Sequence, residues 1–469
     1  MLWLALHFSA LSLEIFSRGS AAPEPLAVIE KQGKRSRVKA CNEAASASGV
    51  CPGMPVSAAQ ALVANLVVRG RDLAAEQESL AGLAAWAGRF TPAVSLQQAG
   101  DGLLLEIGSC LSLHHGFDNL LGQVISGLKE MGYASTHACA PTPHAAWLLA
   151  LAGTEAVIRE SAQLERLLGA LPVSLLDQSP DTLASLEMVG AHTLGDCMRL
   201  PRAGLARRFG QSLLDELDRA LGRLPEAREY FVAPSSFQRR LELPAQVQEA
   251  EALIFAAGRL LPELEGYLNL RQAGIQEFEL ICCHEDEPDT VLKLGFVQPS
   301  RDMKRMQLLL RETLSRTTLP APVHTITLNA GIILPLELSN ADLFQEGAET
   351  GDGNLLLERL RIRLGKEAVY SIAPAADHRP ERAWRNCEPG DVTGSPGNIQ
   401  RPMWLLPKPL SCQKDMIALM AGPERIESGW WDGLDVARDY YVAQGRNGSR
   451  LWVYCDCVSG AWYVHGLFA

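Results

Sequence analysis

The chain has 469 residues, 47% of them hydrophobic and 21% charged, with a formal net charge of −11. That length suits about three globular domains, and the acidic balance excludes binding a polyanion through overall charge, leaving the task to local basic runs. The eleven cysteines are odd in number and scattered, which excludes a secreted disulfide framework.

The opening LWLALHFSALSLEIF is apolar but lacks a basic leader and carries His7 and Glu14, so it reads as a buried strand entering a helix rather than a signal peptide. No later apolar run reaches the roughly 18 residues needed to span a membrane. Residues 1–20 and 70–165 alternate apolar strands with helical patterns. A helix over 120–131, a strand over 134–139 and a helix over 144–151 predict an α+β sheet layer with Asp101 on its rim. Between these halves, NEAASASGVCPGMPVSAAQAL (42–62) predicts two short helices joined by a Gly-Val turn and a Gly-Met-Pro turn.

Residues 171–224 read as short helices over 183–188, 193–199, 204–209 and 211–221. The stretch 186–194 is similar to a helix-hairpin-helix, in which small residues around Gly190 and a helix start at Thr193 let backbone N–H groups approach a phosphate. From 231 to 338 the order is strand (237–243), amphipathic helix (249–268), strand pair (276–284 and 290–296), helix (303–317) and closing strand (323–330). Residues 347–424 are rich in Gly, Pro and charge with little periodicity, which predicts a flexible linker region. In 425–469, Trp430-Trp431, Tyr440-Tyr441, Trp452, Tyr454 and Trp462-Tyr463 alternate with polar residues, predicting a compact β unit whose aromatics serve a small core or a partner surface.

Three basic runs stand out: Lys31, Lys34, Arg35, Arg37 and Lys39; Arg199, Arg202, Arg207 and Arg208; Arg301, Lys304, Arg305 and Arg311. Each is a solvated face or a set of phosphate contacts. Cys282-Cys283-His284 and Cys455-x-Cys457 lack the paired spacing of a structural zinc site, so no metal or cofactor is expected.

The 42–62 segment resembles the fingers of a Y-family (translesion) DNA polymerase, and 231–338 resembles the little finger of that family. The resemblance implies an α+β, multi-domain, polymerase-like right hand. Its parts would be a split palm at 1–20 and 70–165, fingers at 21–69, a thumb at 166–226, a little finger at 231–338, a clamp-binding motif at 339–346, the linker region at 347–424 and an extra C-terminal unit at 425–469. It also implies metal-binding carboxylates, and here the chain departs from the family. The first family strand ends in Asp-x-Asp before a Glu; anchoring on Glu14 puts Ala5 at the first Asp. The second motif, Ser-x-Asp-Glu, becomes Ala99-Gly100-Asp101-Gly102. Vestigial Asp101 alone remains, whereas two-metal phosphoryl transfer needs several converging oxygen ligands. Where the family sets a Tyr and an Arg against the triphosphate, this chain has Glu43 and Ser46, and a carboxylate there repels phosphate.

Asn340-Ala341-Asp342-Leu343-Phe344 resembles the bacterial sliding-clamp pentapeptide, with Leu343 and Phe344 as apolar anchors, although Asn340 and Ala341 depart from the usual Gln and Leu. With the LWLALHF opening, Pro299-Ser300-Arg301-Asp302 and the closing 429–469, the chain is similar to the catalytically degenerate, polymerase-like subunits of the bacterial mutasome in this family. The likeness implies a non-catalytic scaffold of translesion synthesis in the damage response, located in the cytoplasm on the nucleoid. It would grip DNA through Gly190, Thr193, Arg207, Arg208, Arg301, Lys304 and Arg305, dock on the sliding clamp, and recruit an error-prone replicative-type DNA polymerase and a RecA-like accessory protein. Two alternatives stay open: a weakly active polymerase using Asp101, Glu106 and an unaligned carboxylate such as Glu14, and a DNA-binding repair factor independent of the clamp.

Overall fold

The apolar opening is buried on both faces, which is why it reads as a continuous hydrophobic run rather than an alternating one. The computed structural model describes residues 1–18, 24–32, 35–97, 100–336, 350–391 and 401–468. In it, β1 (Trp3–His7) leads into α1 (Leu11–Ser17) and lies inside a four-stranded sheet. After the inserted fingers come α4 (Leu73–Ala87), β5 (Val94–Leu96), β6 (Gly102–Glu106), α5 (Phe117–Met131), β7 (Thr136–Ala140) and α6 (Pro143–Leu151). The strand order is β5-β6-β1-β7, with β1 antiparallel to both neighbours. Leu4, Leu6, Leu103 and Leu105 face α4 and α5, while Trp3, Ala5, Leu104 and Ala138 face α6.

The insert holds β2 (Leu26–Gln32), β3 (Arg35–Cys41), α2 (Glu43–Ala47), α3 (Val56–Leu62) and β4 (Val67–Gly70), with strand order β3-β2-β4. Asn42 caps α2: its side-chain oxygen accepts from the amides of Ala45 and Leu26, both at 3.0 Å. Gly49 and Gly53 take φ of 91° and 86°, the left-handed conformation that the two turns require.

The next layer is helical: α7 (Ser161–Gly169), α8 (Pro180–Met188), α9 (Leu194–Arg199), α10 (Arg202–Phe209) and α11 (Gln211–Ala220). Leu168, Leu186, Leu194 and Leu213 share one apolar cluster with α6 of the palm, so thumb and palm have a common core.

The little-finger region contains β8 (Gln238–Val247), α12 (Leu253–Gly258), α13 (Leu261–Leu270), β9 (Ala273–His284), β10 (Thr290–Ser300), α14 (Met303–Leu314), β11 (Val323–Ala330) and β12 (Ile333–Pro335). Its strand order is β10-β9-β11-β8, with β12 added to β9. The single helix expected over 249–268 is instead a 3₁₀ turn at Ala250–Ala252 followed by α12 and α13. Pro262, in the first turn of α13, has no N–H to donate into the preceding turn, so the helix must restart there.

Met1–Gly351 form one compact unit and Asp352–Ala469 a second. The flexible linker expected over 347–424 is thereby corrected for its described residues. They form α15 (Thr350–Leu364), the hairpin β13 (Ser371–Pro374) with β14 (Trp384–Cys387), β15 (Trp404–Cys412) and the start of β16 (Ile417–Ser428). With β17 (Val436–Gly445), β18 (Arg450–Asp456) and β19 (Trp462–Leu467), β15 and β16 complete a sheet ordered β15-β19-β18-β17-β16. Ile426, Tyr440, Trp452 and Tyr454 form the small buried core of this unit, and ion pairs tie further segments to it. Arg379, 2% exposed, donates to both oxygens of Asp377 and both of Asp432, and to the Leu434 carbonyl.

In the palm, Glu14 is 8% exposed and accepts the Ala134 N–H at 2.7 Å. Burial pushes its carboxyl up to about 7, against the lowering effects of that hydrogen bond and of Arg18. The native state therefore keeps a proton that the unfolded chain releases above 4.5, and stability falls as pH rises from about 4.5 to 7. Glu14→Gln is expected to match the wild type near pH 5 and to exceed it at pH 8 by as much as about 3 kcal/mol, read from thermal melting at the two pH values.

Candidate functional site

Asp101 stands immediately before β6, where its carbonyl accepts the Phe8 N–H at 2.8 Å. Its carboxylate faces His7, the last residue of β1, with Nε2 to Oδ2 at 3.7 Å. The Thr136 hydroxyl donates to the Ala150 carbonyl at 2.7 Å and so accepts from Nδ1–H of His7 at 3.3 Å, which turns Nε2 toward Asp101. Trp147 of α6 closes the edge, its ring 5.4 Å from the imidazole in a T-shaped contact. A Cβ on Gly102 would meet that indole at 2.2 and 2.5 Å and the Leu6 carbonyl at 2.9 Å. Ala5 has no exposure and belongs to the same apolar cluster as Trp147.

Glu106 and Glu14 do not join Asp101. Glu106 is at the far end of β6, where its carboxylate accepts from the amides of Leu2 and Gly108 and the hydroxyl of Ser109. Glu14 is committed to Ala134. Asp101, Glu106 and Glu14 therefore do not converge on one site. Among the described residues, no group of three or more His, Cys, Asp or Glu side chains is arranged to hold a metal ion.

A cleft of about 990 Å³ opens between palm and thumb, lined by Asp101, Trp147, Leu151, Gln178 and Glu216 among others. Glu216 is 2% exposed. Burial alone would raise its carboxyl, but hydrogen bonds from His144 (3.2 Å), Gln178 (2.7 Å) and the Asp177 amide (2.9 Å) hold it below the ordinary value. On α2, Glu43 and Ser46 are both exposed and three residues apart, on one helical face.

Gly190 ends α8 with φ of 82°, and Thr193 caps α9. The hairpin amides are already occupied. Asp196 accepts from the N–H groups of His192 and Thr193 at 3.1 and 2.9 Å, and the Thr193 hydroxyl accepts from Asp196 in a capping box. Of the thumb arginines, Arg199 is paired with Asp196 and Arg202 with both oxygens of Asp218. Arg207 and Arg208 are exposed on the last turn of α10. Arg301 is half-buried before α14; Lys304 is exposed in its first turn, and the Arg305 guanidinium lies 5.8 Å from the Phe296 ring. In the fingers, Arg37 donates to the Gly53 carbonyl at 2.6 Å. The pentapeptide Asn340–Phe344 lies outside the described residues, as does Lys34. Among the described residues no helix is long and apolar enough to cross a membrane.

Residues 11–150 match the impB/mucB/samB family. Protein ImuB of Caulobacter vibrioides, in strains NA1000 and ATCC 19089, is 29% identical over 457 residues, spanning 90% of this chain and all of the relative. The chain is similar to Protein ImuB along nearly its whole length. Among solved structures, a Y-family DNA polymerase chimera of Dbh and Dpo4 is similar at 18% identity and TM-score 0.41, covering 71% of this chain and 99% of that one. DinB from Sulfolobus solfataricus is similar at 18% identity and TM-score 0.39, covering 72% and 100%.

His7, Thr136 and Trp147 were not singled out by motif reading. Anchoring on Glu14 does put His7 at the second Asp of the family strand, but nothing in the sequence around Trp147 reveals that its ring fills the space beside Gly102. Gly102→Ala is expected to cost about 1–3 kcal/mol by overpacking. Combining it with Trp147→Leu should cost less than the two single changes summed, by at least about 1 kcal/mol, in a double-mutant cycle of thermal melts.

Proposed function

We propose that the chain is a non-catalytic scaffold of translesion synthesis that binds DNA, docks on the sliding clamp and recruits an error-prone polymerase in damage-induced mutagenesis. One observation carries the reading: the space beside residue 102, where the family motif has a carboxylate, is occupied by the Trp147 indole. A pair of divalent cations needs several converging oxygen ligands. Ala5, His7, Asp101 and Gly102 do not fit such a pair.

DNA binding in this reading rests on Arg207 and Arg208 on the thumb and on Arg301, Lys304 and Arg305 of the little finger, which meet phosphates and do not read bases. With Asp196 occupying the hairpin amides, Gly190 and Thr193 shape the turn, and the phosphate contact there falls to the arginines that follow. The pentapeptide Asn340–Phe344 supplies clamp attachment, which raises the effective concentration of a weak DNA binder at the primer end. The C-terminal unit carries contacts to the recruited polymerase and to a RecA-like accessory protein, and the protein works in the cytoplasm on the nucleoid.

On a primed template with all four nucleotides and Mg²⁺ or Mn²⁺, no extension is expected under conditions where a gel shift demonstrates binding. Extension abolished by Asp101→Ala would overturn the reading. Replacing Arg207 and Arg208 by Ala should weaken binding to all sequences alike and lower the slope of log K against log salt by about 2. Leu343→Ala with Phe344→Ala is expected to abolish clamp co-elution while leaving binding to bare DNA unchanged, measured by size exclusion and gel shift.

A further inference from the structure

A second set of buried charges lies where the palm meets the little finger. Glu263 of α13 has no exposure; its Oε1 is 2.7 Å from Nη1 of Arg18, and its Oε2 is 3.2 Å from Nε of Arg239. Arg18 follows α1 of the palm and Arg239 belongs to β8, and both are buried. Arg239 also approaches Glu78 of α4 at 4.0 Å. Arg259, between α12 and α13, donates to the Arg18 carbonyl. Removing three charges from water is costly, and the cost is offset only when all are paired at once. Pairing between Arg18 and Glu263 requires the two regions to be docked.

The helices cross at glycines. A Cβ on Gly266 of α13 would lie 2.3 Å from Cα of Trp86 in α4, and one on Gly82 would lie 2.4 Å from Oε2 of Glu263. At the rim, Arg89 and Glu265 pair at 2.9 Å. The connecting segment is fastened to both sides. Phe231 N–H donates to the Val94 carbonyl of the palm, and Arg228 to Gln97; the Tyr267 hydroxyl and Arg271 of the little finger both donate to the Pro234 carbonyl.

We propose that Glu263 is a positioning residue that locks the little finger onto the palm, so that the two regions form one rigid body whether or not DNA is present. The spacing between little finger and thumb is then set by the protein alone. This inference does not depend on the scaffold reading and stands or falls without DNA.

Amide hydrogen exchange on the full chain tests it, with Glu263→Gln removing the charge and Gly266→Leu wedging the helices apart without altering an ion. In the wild type, α4 and α13 are expected to be protected as strongly as the strands. In both variants their exchange should rise by roughly a hundredfold, while β6 of the palm and β9 of the little finger keep their wild-type protection. Interface helices that exchange rapidly in the wild type would overturn the lock. So would variants whose interface protection is unchanged, and so would protection lost equally from β6 and β9, which would make Glu263 a core residue of one indivisible fold rather than a separable fastening.

Discussion

The indole of Trp147 stands where any side chain on residue 102 would have to stand, and this exclusion governs the palm edge. The same helix that presses the ring onto Gly102 carries Leu148 and Leu149 into the cluster shared with the thumb. Filling the space beside β6 is thus joined to holding the thumb against the palm. An acidic residue at 102 would have to displace a buried ring, and its charge would lose solvent in doing so. The packing leaves Asp101 as a lone carboxylate opposite an imidazole.

Much of the charge on this chain is spent inside it. Asp196 takes the hairpin amides, Arg202 grips Asp218, Lys293 holds Glu279 on the sheet of the little finger, and Arg379 is saturated by two aspartates. Against a net charge of −11, the placement of exposed cations, as on α10 and in the first turn of α14, matters more than the basic runs counted in sequence. Exposed pairs of this kind contribute little stability individually. Buried ones, such as those of Glu263 and Arg379, select one arrangement of the elements that bring them together.

Elements with strong apolar periodicity were legible before folding was considered. The strand β1, the helices α5 and α6, the thumb helices and the strand-helix order of the little finger all fall close to their expected positions, because each is specified by side chains within a turn or two of one another. The order in 350–391 and 401–424 was not legible. Arg379 and Asp432 are far apart in sequence, as are Arg401 and Glu424, and a Pro- and Arg-rich stretch looks mobile until its ionic partners are found. The broken helix at Pro262 was missed for a smaller reason: its amphipathic pattern continues across a backbone position that cannot continue the hydrogen-bond ladder.

At the site the division is sharper. Sequence alone determined that residues 5 and 102 carry no carboxylate, that residue 101 does, and that residues 43 and 46 offer neither ring nor guanidinium, because these are identities at positions anchored by nearby motifs. Tertiary structure alone decided what stands beside residue 102, which thumb arginines remain outward, and that a glutamate of the little finger is buried against an arginine of the palm. Those outcomes depend on pairings between segments distant along the chain, and a buried ring or charge takes its meaning from the partner that folding brings to it.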